Sequence, residues 1–137
     1  MVGVLALQGD FGKHKSILKD LKVESLYVKN SSDLDKTDAL IIPGGESTTL
    51  SLLIDRFRMR ESLEKYSRKF SIFGTCAGMI MLSSNKNKKI EDKVKFLNIM
   101  NFSVSRNSWG TQIESFERSV NLKEFNIDSF NAVFIRA

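Results

Sequence analysis

The single cysteine of the chain lies between two glycines in the segment Gly74-Thr75-Cys76-Ala77-Gly78. This spacing is that of a nucleophile elbow, G-x-S-x-G, with cysteine in place of serine. The glycines let the backbone turn sharply enough to expose the thiol, and the positive end of a following helix favours its thiolate form. The backbone N–H of Ala77 is then an oxyanion donor. The pattern predicts that Cys76 is a nucleophile; the alternative is a buried cysteine that packs as a small hydrophobic side chain.

A second loop, "IIPGGESTTL" at 41–50, also leads from an apolar run into a helical pattern. Gly44 and Gly45 permit close approach of the backbone to a ligand, and the amide of Gly45 is a second candidate oxyanion donor. Ser47 and Thr48 are predicted to be N-caps of the following helix. Taken alone this is an ordinary capped turn, but opposite a cysteine elbow it indicates a shared site.

The elements that position both loops can be predicted from hydrophobic periodicity. Between the apolar runs, apolar residues recur at the spacing of helices with one buried face. Strands that are apolar throughout and separated by helices imply a three-layer α/β fold, a mostly parallel sheet with helices on both faces. Functional groups gather at the carboxyl ends of such strands. The predicted strands are residues 2–7, 25–28, 39–42 and 70–74.

The pattern changes beyond residue 96. Residues 101–106 and 111–117 alternate polar and apolar side chains, which predicts an antiparallel pair, and 132–137 is predicted to be a further strand. No repeat, low-complexity segment or linker interrupts the chain. We therefore expect residues 1–137 to form a single domain.

Composition narrows the functional class. One cysteine allows no internal disulfide, the N-terminus does not resemble a signal peptide, and no apolar run approaches the ~20 residues of a membrane span. The net charge of +5 comes largely from 55–69 and 85–95, where acidic residues interrupt the basic ones. No nucleic-acid-binding motif accompanies them. We expect a cytoplasmic protein that binds neither nucleic acid nor membrane, with these segments as solvated surface or as a docking face for a protein.

Five motifs carry a family resemblance. The chain resembles the glutaminase subunit of pyridoxal 5'-phosphate synthase, a class I, triad-type glutamine amidotransferase with a flavodoxin-like α/β fold. "GTCAG" alone is typical of the wider amidotransferase class, and the other four motifs narrow it to the vitamin B6 branch. The motifs, in chain order, are "LALQGDF..H" (5–14), "PGGESTT" (43–49), "GTCAG" (74–78), "RNSWGTQIESFE" (106–117) and "FIRA" (134–137).

The resemblance implies hydrolysis of L-glutamine to glutamate and ammonia, without a cofactor or metal. The ammonia would pass to a barrel-shaped synthase subunit, which we expect to meet Gly9–Leu21 and the 85–95 segment. Cys76 would form a γ-glutamyl thioester, with Ala77 and Gly45 as backbone oxyanion donors. By position in the motifs, the glutamine-binding residues would be Gly45, Glu46, Ser47, Arg106, Ile135 and Arg136.

The chain also departs from the family pattern. Thr111 stands where the family usually has arginine, and Asn98 where glycine is common. The family's catalytic His and Glu lie in a later His-Pro-Glu stretch, so the resemblance implies a C-terminally truncated member with low activity. The one histidine, His14, falls on the apolar face of the first helix, where packing or an interface is favoured over a substitute base. Two alternatives stay open: the glutaminase of another amidotransferase, and a catalytically inactive binding module.

Overall fold

The structure is a computed structural model that describes residues 1–84, 94–105 and 115–135. Main-chain contacts divide the chain into two compact units, Met1–Ser103 and Val104–Ala137. The organisation of residues 1–137 as one domain therefore stays a prediction. The first unit contains β1 (Val2–Leu5), α1 (Phe11–Asp20), β2 (Ser25–Val28), α2 (Ser31–Leu34), β3 (Ala39–Ile42), α3 (Ser47–Arg56), α4 (Arg60–Ser67), β4 (Ser71–Gly74) and α5 (Ala77–Leu82).

The first unit is built on a four-stranded parallel sheet with the order β2-β1-β3-β4. The chain moves from β1 outward to β2 and then crosses back to β3, so the strand order reverses between β1 and β3. Because crossovers are right-handed, this reversal places α1 on one face of the sheet and α3 and α4 on the other. The loops after β1, β3 and β4 open at the carboxyl edge, at the switch point where α/β folds bind ligands.

The core of this unit forms where the apolar strands meet the apolar faces of the helices. The hydrophobic cluster includes Leu5, Leu40, Ile42, Ile54 and Met81, all at most 1% exposed. Such burial of whole aliphatic side chains contributes roughly 1.5–3 kcal/mol each relative to exposure. The sheet is therefore a rigid base for the loops at its carboxyl edge.

A polar network fixes the segment after α5 to α3 and α4. The backbone N–H of Lys95 donates to Ser51 Oγ at 2.9 Å, and the Arg60 guanidinium donates to the Lys95 carbonyl at 2.8 Å. Arg60 also pairs with Asp55 at 2.5 Å, and this hydrogen bond lowers the pKa of Asp55 although partial burial opposes it. The network anchors residues 94–97 without a strand.

The second unit is a two-stranded antiparallel ribbon. β5 (Phe116–Leu122) pairs with β6 (Ile127–Phe134), joined by a 3-10 turn at Lys123–Phe125 and a left-handed Asn126. Most of the ribbon's side chains are exposed, and the rings of Phe116 and Phe134 stack at 5.0 Å between centroids.

The predicted pairing of strands in this part of the chain was wrong. Residues 101–105 form no strand, and β5 pairs instead with a strand that begins at 127, five residues before the predicted one. A short turn brings 116–122 and 127–134 together locally, whereas pairing with 101–106 would require closing a longer loop. Residues 106 and 111–114 of the predicted pair lie outside the described residues.

Candidate functional site

Three loops meet at the carboxyl edge of the sheet. A Cβ added to Gly9, in the loop after β1, would overlap the carbonyl oxygen of Gly44 in the loop after β3. A Cβ added to Gly44 would lie 3.1 Å from Cβ of Cys76 and 3.8 Å from its Sγ. Only glycine allows these loops to approach so closely, and Gly9 also requires its left-handed φ of +79°. The loops after β1, β3 and β4 therefore surround one site that contains the thiol.

Cys76 has the strained backbone of a nucleophile elbow. Its φ of +49° and ψ of −112° are rare for a residue with a side chain, and such conformations cost about 1–3 kcal/mol. Its carbonyl accepts from the N–H of Ile80 at 3.0 Å, which begins α5. The thiol is exposed, so the alternative of a buried packing cysteine does not describe this residue.

The glycines around Cys76 allow the elbow to press against β3. A Cβ on Gly78 would overlap the carbonyl oxygen of Ile42, and a Cβ on Gly74 would lie 2.6 Å from the carbonyl carbon of Gly78. The N–H of Thr75 donates to the carbonyl of Ile42 at 3.1 Å. The spacing G-x-C-x-G is thus the condition for packing strand, turn and helix this tightly.

Gln8 supports the second loop from below. The backbone N–H of Glu46 donates to Gln8 Oε1 at 3.3 Å, and Gly45, at φ +144°, has no space for a Cβ above the Gln8 carboxamide. The Nε2 of Gln8 is buried and has no hydrogen-bond partner among the residues that the structure describes. The sequence analysis did not predict Gln8 as a site residue, although it lies within the motif at 5–14. Its position directly after the predicted strand at 2–7, at the functional edge of the sheet, was the signal that could have identified it.

Glu46 is the N-cap of α3, and the prediction that Ser47 and Thr48 cap this helix was wrong. The Glu46 carboxylate accepts from the N–H groups of Thr48 at 3.0 Å and Thr49 at 2.7 Å, and from the Thr49 hydroxyl at 3.0 Å. Burial would raise the pKa of Glu46, but these hydrogen bonds outweigh it and lower the pKa from 4.5 to about 2. Glu46 is the cap because its longer side chain reaches two N–H groups of the first helical turn at once.

Ser47 is the first residue of α3 and is only 5% exposed. Ala77 is the first residue of α5 and is fully buried, so its N–H is the group that it can offer to a ligand. Gly45 is exposed beside Glu46. These candidates lie in the loop after β3 or at the first residues of α3 and α5, close to Cys76 along the chain or across the sheet edge.

His14 lies on α1 and is half-buried. Its Nε2 is 3.3 Å from Oγ1 of Thr75, the residue before Cys76. The expected packing role is thus extended by a specific polar contact that the sequence pattern did not indicate.

The structure describes the remaining candidates only in part. Ile135 follows β6 in the second unit and is 42% exposed. Arg106 and Arg136 lie outside the described residues, as does Thr111. Asn98 is described and has a φ of +53°, a left-handed conformation that asparagine tolerates better than most residues. This conformation explains why glycine or asparagine suits the position.

Among the described residues there is neither a metal-binding cluster nor a membrane-spanning helix. Within 1–84, 94–105 and 115–135, no group of three or more His, Cys, Asp or Glu residues is arranged to hold a metal ion. The helices in these same ranges are all too short or too polar to cross a membrane.

The family model and the relatives that this chain matches agree with one another. Residues 4–137 match the model of the SNO glutamine amidotransferase family. The chain is 41% identical to a pyridoxal 5'-phosphate synthase subunit PdxT from Oenococcus oeni, covering 99% of this chain and 69% of the relative. It is 44% identical to a PdxT from Dehalococcoides mccartyi, covering 99% of this chain and 70% of that one.

A solved structure supports the same relationship. A crystal structure described as a glutamine amidotransferase superimposes with a TM-score of 0.85 at 40% identity, over 99% of this chain and 71% of that one. This similarity confirms the predicted α/β fold with a mostly parallel sheet and helices.

Proposed function

The chain belongs to the SNO glutamine amidotransferase family, and we propose that it acts as the glutaminase subunit of a pyridoxal 5'-phosphate synthase. The reaction is the hydrolysis of L-glutamine to L-glutamate and ammonia, in service of vitamin B6 biosynthesis. The observation that carries this proposal is the exposed, strained Cys76 beside Gly44, in a chain whose relatives are PdxT subunits.

Cys76 supplies the nucleophile. Its sulfur attacks the side-chain amide carbon of glutamine, and the carbonyl π electrons move to oxygen. Collapse of this tetrahedral intermediate breaks the C–N bond, and the leaving nitrogen departs as ammonia after it gains a proton. Water then adds to the γ-glutamyl thioester, and breaking of the C–S bond returns glutamate and the thiol.

Backbone amides stabilise the oxyanion in both steps. The N–H of Ala77 stands at the start of α5, where helical N–H groups lack partners within the helix. The loop containing Gly45 lies next to Cys76, since a Cβ added to Gly44 would be 3.1 Å from Cβ of Cys76. Donors of this kind are worth about 10²–10³-fold in rate when aimed at a developing oxyanion.

The loop at 45–47 and three later residues bind the substrate in this proposal. Glu46 is ionised at neutral pH, and its negative charge attracts the substrate ammonium. Ser47 is too buried to offer much beyond its backbone. Arg106 and Arg136, the second of which follows Ile135 in the sequence, are the candidates to hold the α-carboxylate, since guanidinium groups bind carboxylates bidentately.

The described residues supply few side chains for general acid–base catalysis. His14 hydrogen-bonds to Thr75, and no hydrogen bond in the described part of the chain joins it to Cys76. A positioned histidine contributes about 10²–10⁴-fold. We therefore expect a polypeptide of residues 1–137 to hydrolyse glutamine slowly even with its partner.

The proposed partner is the synthase subunit, in a cytoplasmic hetero-oligomer that accepts the ammonia. Ile17 on α1 and Leu21, the C-cap residue of that helix, are one helical turn apart and are 56% and 66% exposed. Neighbouring Lys13 and Lys19 are exposed as well. This surface of α1 is our candidate docking site, and the 85–93 part of the other candidate segment lies outside the described residues.

Substitution of the nucleophile tests the proposal. Cys76→Ser and Cys76→Ala should abolish release of glutamate from glutamine in the presence of a PdxT partner synthase, while the matched control Ser119→Ala in the second unit should retain it. Folding is checked by circular dichroism. Activity in Cys76→Ala would overturn the assignment of the nucleophile.

A chimera tests the acid–base step. Joining the C-terminal part of the Oenococcus oeni relative, beyond its match to this chain, after Ala137 should raise glutamine hydrolysis by at least about 10²-fold over residues 1–137. Equal rates would place the base on His14 or on the partner. Absence of hydrolysis in both, with intact synthase binding, would favour the inactive binding module, and hydrolysis that serves only another acceptor would favour a different amidotransferase.

A further inference from the structure

His14 and Thr75 form a hydrogen bond although they are 61 positions apart in the sequence. His14 lies on α1, beyond the first loop of the site, and Thr75 immediately precedes Cys76. Both residues are half-buried, so solvent competes only partly for the bond. No step of the hydrolysis described above uses this contact.

Two backbone hydrogen bonds to other described residues also hold Thr75 in place. Its N–H donates to the carbonyl of Ile42 at 3.1 Å, and its carbonyl accepts from the N–H of Gly78 at 2.8 Å. These bonds tie Thr75 to β3 and to α5. The His14 contact adds a side-chain anchor from α1, so three different elements determine where the 75–76 peptide points.

The next residue needs this restraint. Cys76 has a φ of +49° and a ψ of −112°, a conformation that persists only where the surrounding structure over-determines it. We propose that His14 is a positioning residue that acts through the Thr75 hydroxyl to hold the Cys76 elbow in its strained, exposed conformation. This inference deepens the proposed function, because it concerns the presentation of the same nucleophile.

The role differs from that of a base. A base must accept a proton from the thiol or return one to ammonia, which glutamine in place of histidine cannot do. A positioning residue needs only a polar group that reaches Thr75 Oγ1. The variant His14→Gln retains such a group, His14→Leu removes it at similar size, and Thr75→Val removes the hydroxyl with little change of shape.

Alkylation of Cys76 by iodoacetamide measures the presentation of the nucleophile directly, since the chain has one cysteine. In the chain of residues 1–137, His14→Leu and Thr75→Val should each slow alkylation by about threefold to tenfold, the range of one net hydrogen bond. The double variant should be no slower than the slower single one, because both remove the same interaction. His14→Gln and Thr75→Ser should stay within about twofold of the original rate.

Several outcomes would overturn the inference. Unchanged alkylation in Thr75→Val, additive losses in the double variant, or a His14→Gln variant as slow as His14→Leu would each do so. Circular dichroism checks that the variants fold, and if His14→Leu does not fold, the Thr75→Val and Thr75→Ser pair decides alone.

A second readout separates this inference from the proposed function. With the synthase present, Thr75→Val should lower kcat for glutamine hydrolysis and leave KM nearly unchanged, because glutamine binding does not use the hydroxyl. Coupled alkylation rates with no glutamine hydrolysis in any variant would support the positioning role and reject the glutaminase. Hydrolysis with alkylation rates insensitive to His14 and Thr75 would reject the positioning role alone.

Discussion

The two units of the chain differ in how far they bury their apolar side chains. In Met1–Ser103, four parallel strands and their helices form a cluster in which Leu5, Ile42 and Ile54 are almost completely inaccessible to solvent. In Val104–Ala137, the β5–β6 ribbon leaves Phe130 at 49% and Val133 at 60% exposure. Parallel strands require cover on both faces, whereas an antiparallel ribbon forms its hydrogen bonds from a local turn alone.

This difference explains where the strained residues can be placed. A conformation such as that of Cys76 costs about 1–3 kcal/mol and needs a packed framework to offset it. The first unit offers such a framework through Ile42 and the glycines of the elbow. In the second unit the left-handed Asn126 lies at a turn, where that residue type adopts the conformation at little cost.

The largest expected contrast is between two identical truncations. Ile54→Ala removes a fully buried side chain and should lower the free energy of unfolding by about 2–5 kcal/mol. Ile127→Ala removes one that is 40% exposed and should cost about 1 kcal/mol or less. Urea unfolding followed by circular dichroism measures both. Equal losses would show that the ribbon is as well packed as the sheet.

Two helical glycines give the next contrast, within the first unit. Gly78→Ala would place a methyl group against the carbonyl oxygen of Ile42, and we expect a loss of about 1–3 kcal/mol together with reduced alkylation of Cys76. Among the described residues, the methyl group of Gly12→Ala meets only the Asp10 carboxylate, at 4.0 Å, and this variant should stabilise α1 by about 0.5–1 kcal/mol. Tolerance of alanine at 78 would mean that the elbow does not press on β3.

The smallest contrast concerns a carboxylate and its pH dependence. Glu46→Gln weakens the cap of α3 and should cost about 1 kcal/mol at pH 7, whereas Glu117→Gln in the ribbon should cost about 0.5 kcal/mol or less. Because the pKa of Glu46 is lowered to about 2 on folding, its stabilisation is complete above about pH 4.5. It disappears as the pH falls through 2, so the difference between Glu46→Gln and the original chain should vanish there. If the difference in unfolding free energy stayed constant down to pH 2, ionisation of the Glu46 carboxylate would not be its cause.

Sequence reasoning succeeded where the signal was local. The strands at 25–28 and 39–42 were predicted at their observed bounds, because apolar runs between turn residues leave little alternative in a covered parallel sheet. The predicted strand at 2–7 is two residues longer than β1, since Ala6 and Leu7 already belong to the loop. The four-residue α2 was missed because it is too short to show helical periodicity.

Prediction from the sequence failed where more than one residue could cap the same helix, or more than one segment could pair with the same strand. Ser47 and Thr48 have the preferred chemistry for an N-cap, yet the preceding Glu46 caps α3 because its carboxylate reaches two N–H groups. The strand pairing of residues 101–105 failed in the same way, since polar alternation indicates a strand without indicating its partner.

The sequence by itself determined the elbow around Cys76 and the alternation of strands and helices, because the glycine spacing and the apolar runs each act within a few residues. Only the tertiary structure decided that Gln8 lies beneath Glu46 and that His14 reaches Thr75. These partners are 38 and 61 positions apart. Their contact depends on β1 lying next to β3 and on the loops converging at one edge of the sheet, which is a property of strand order and not of any local pattern.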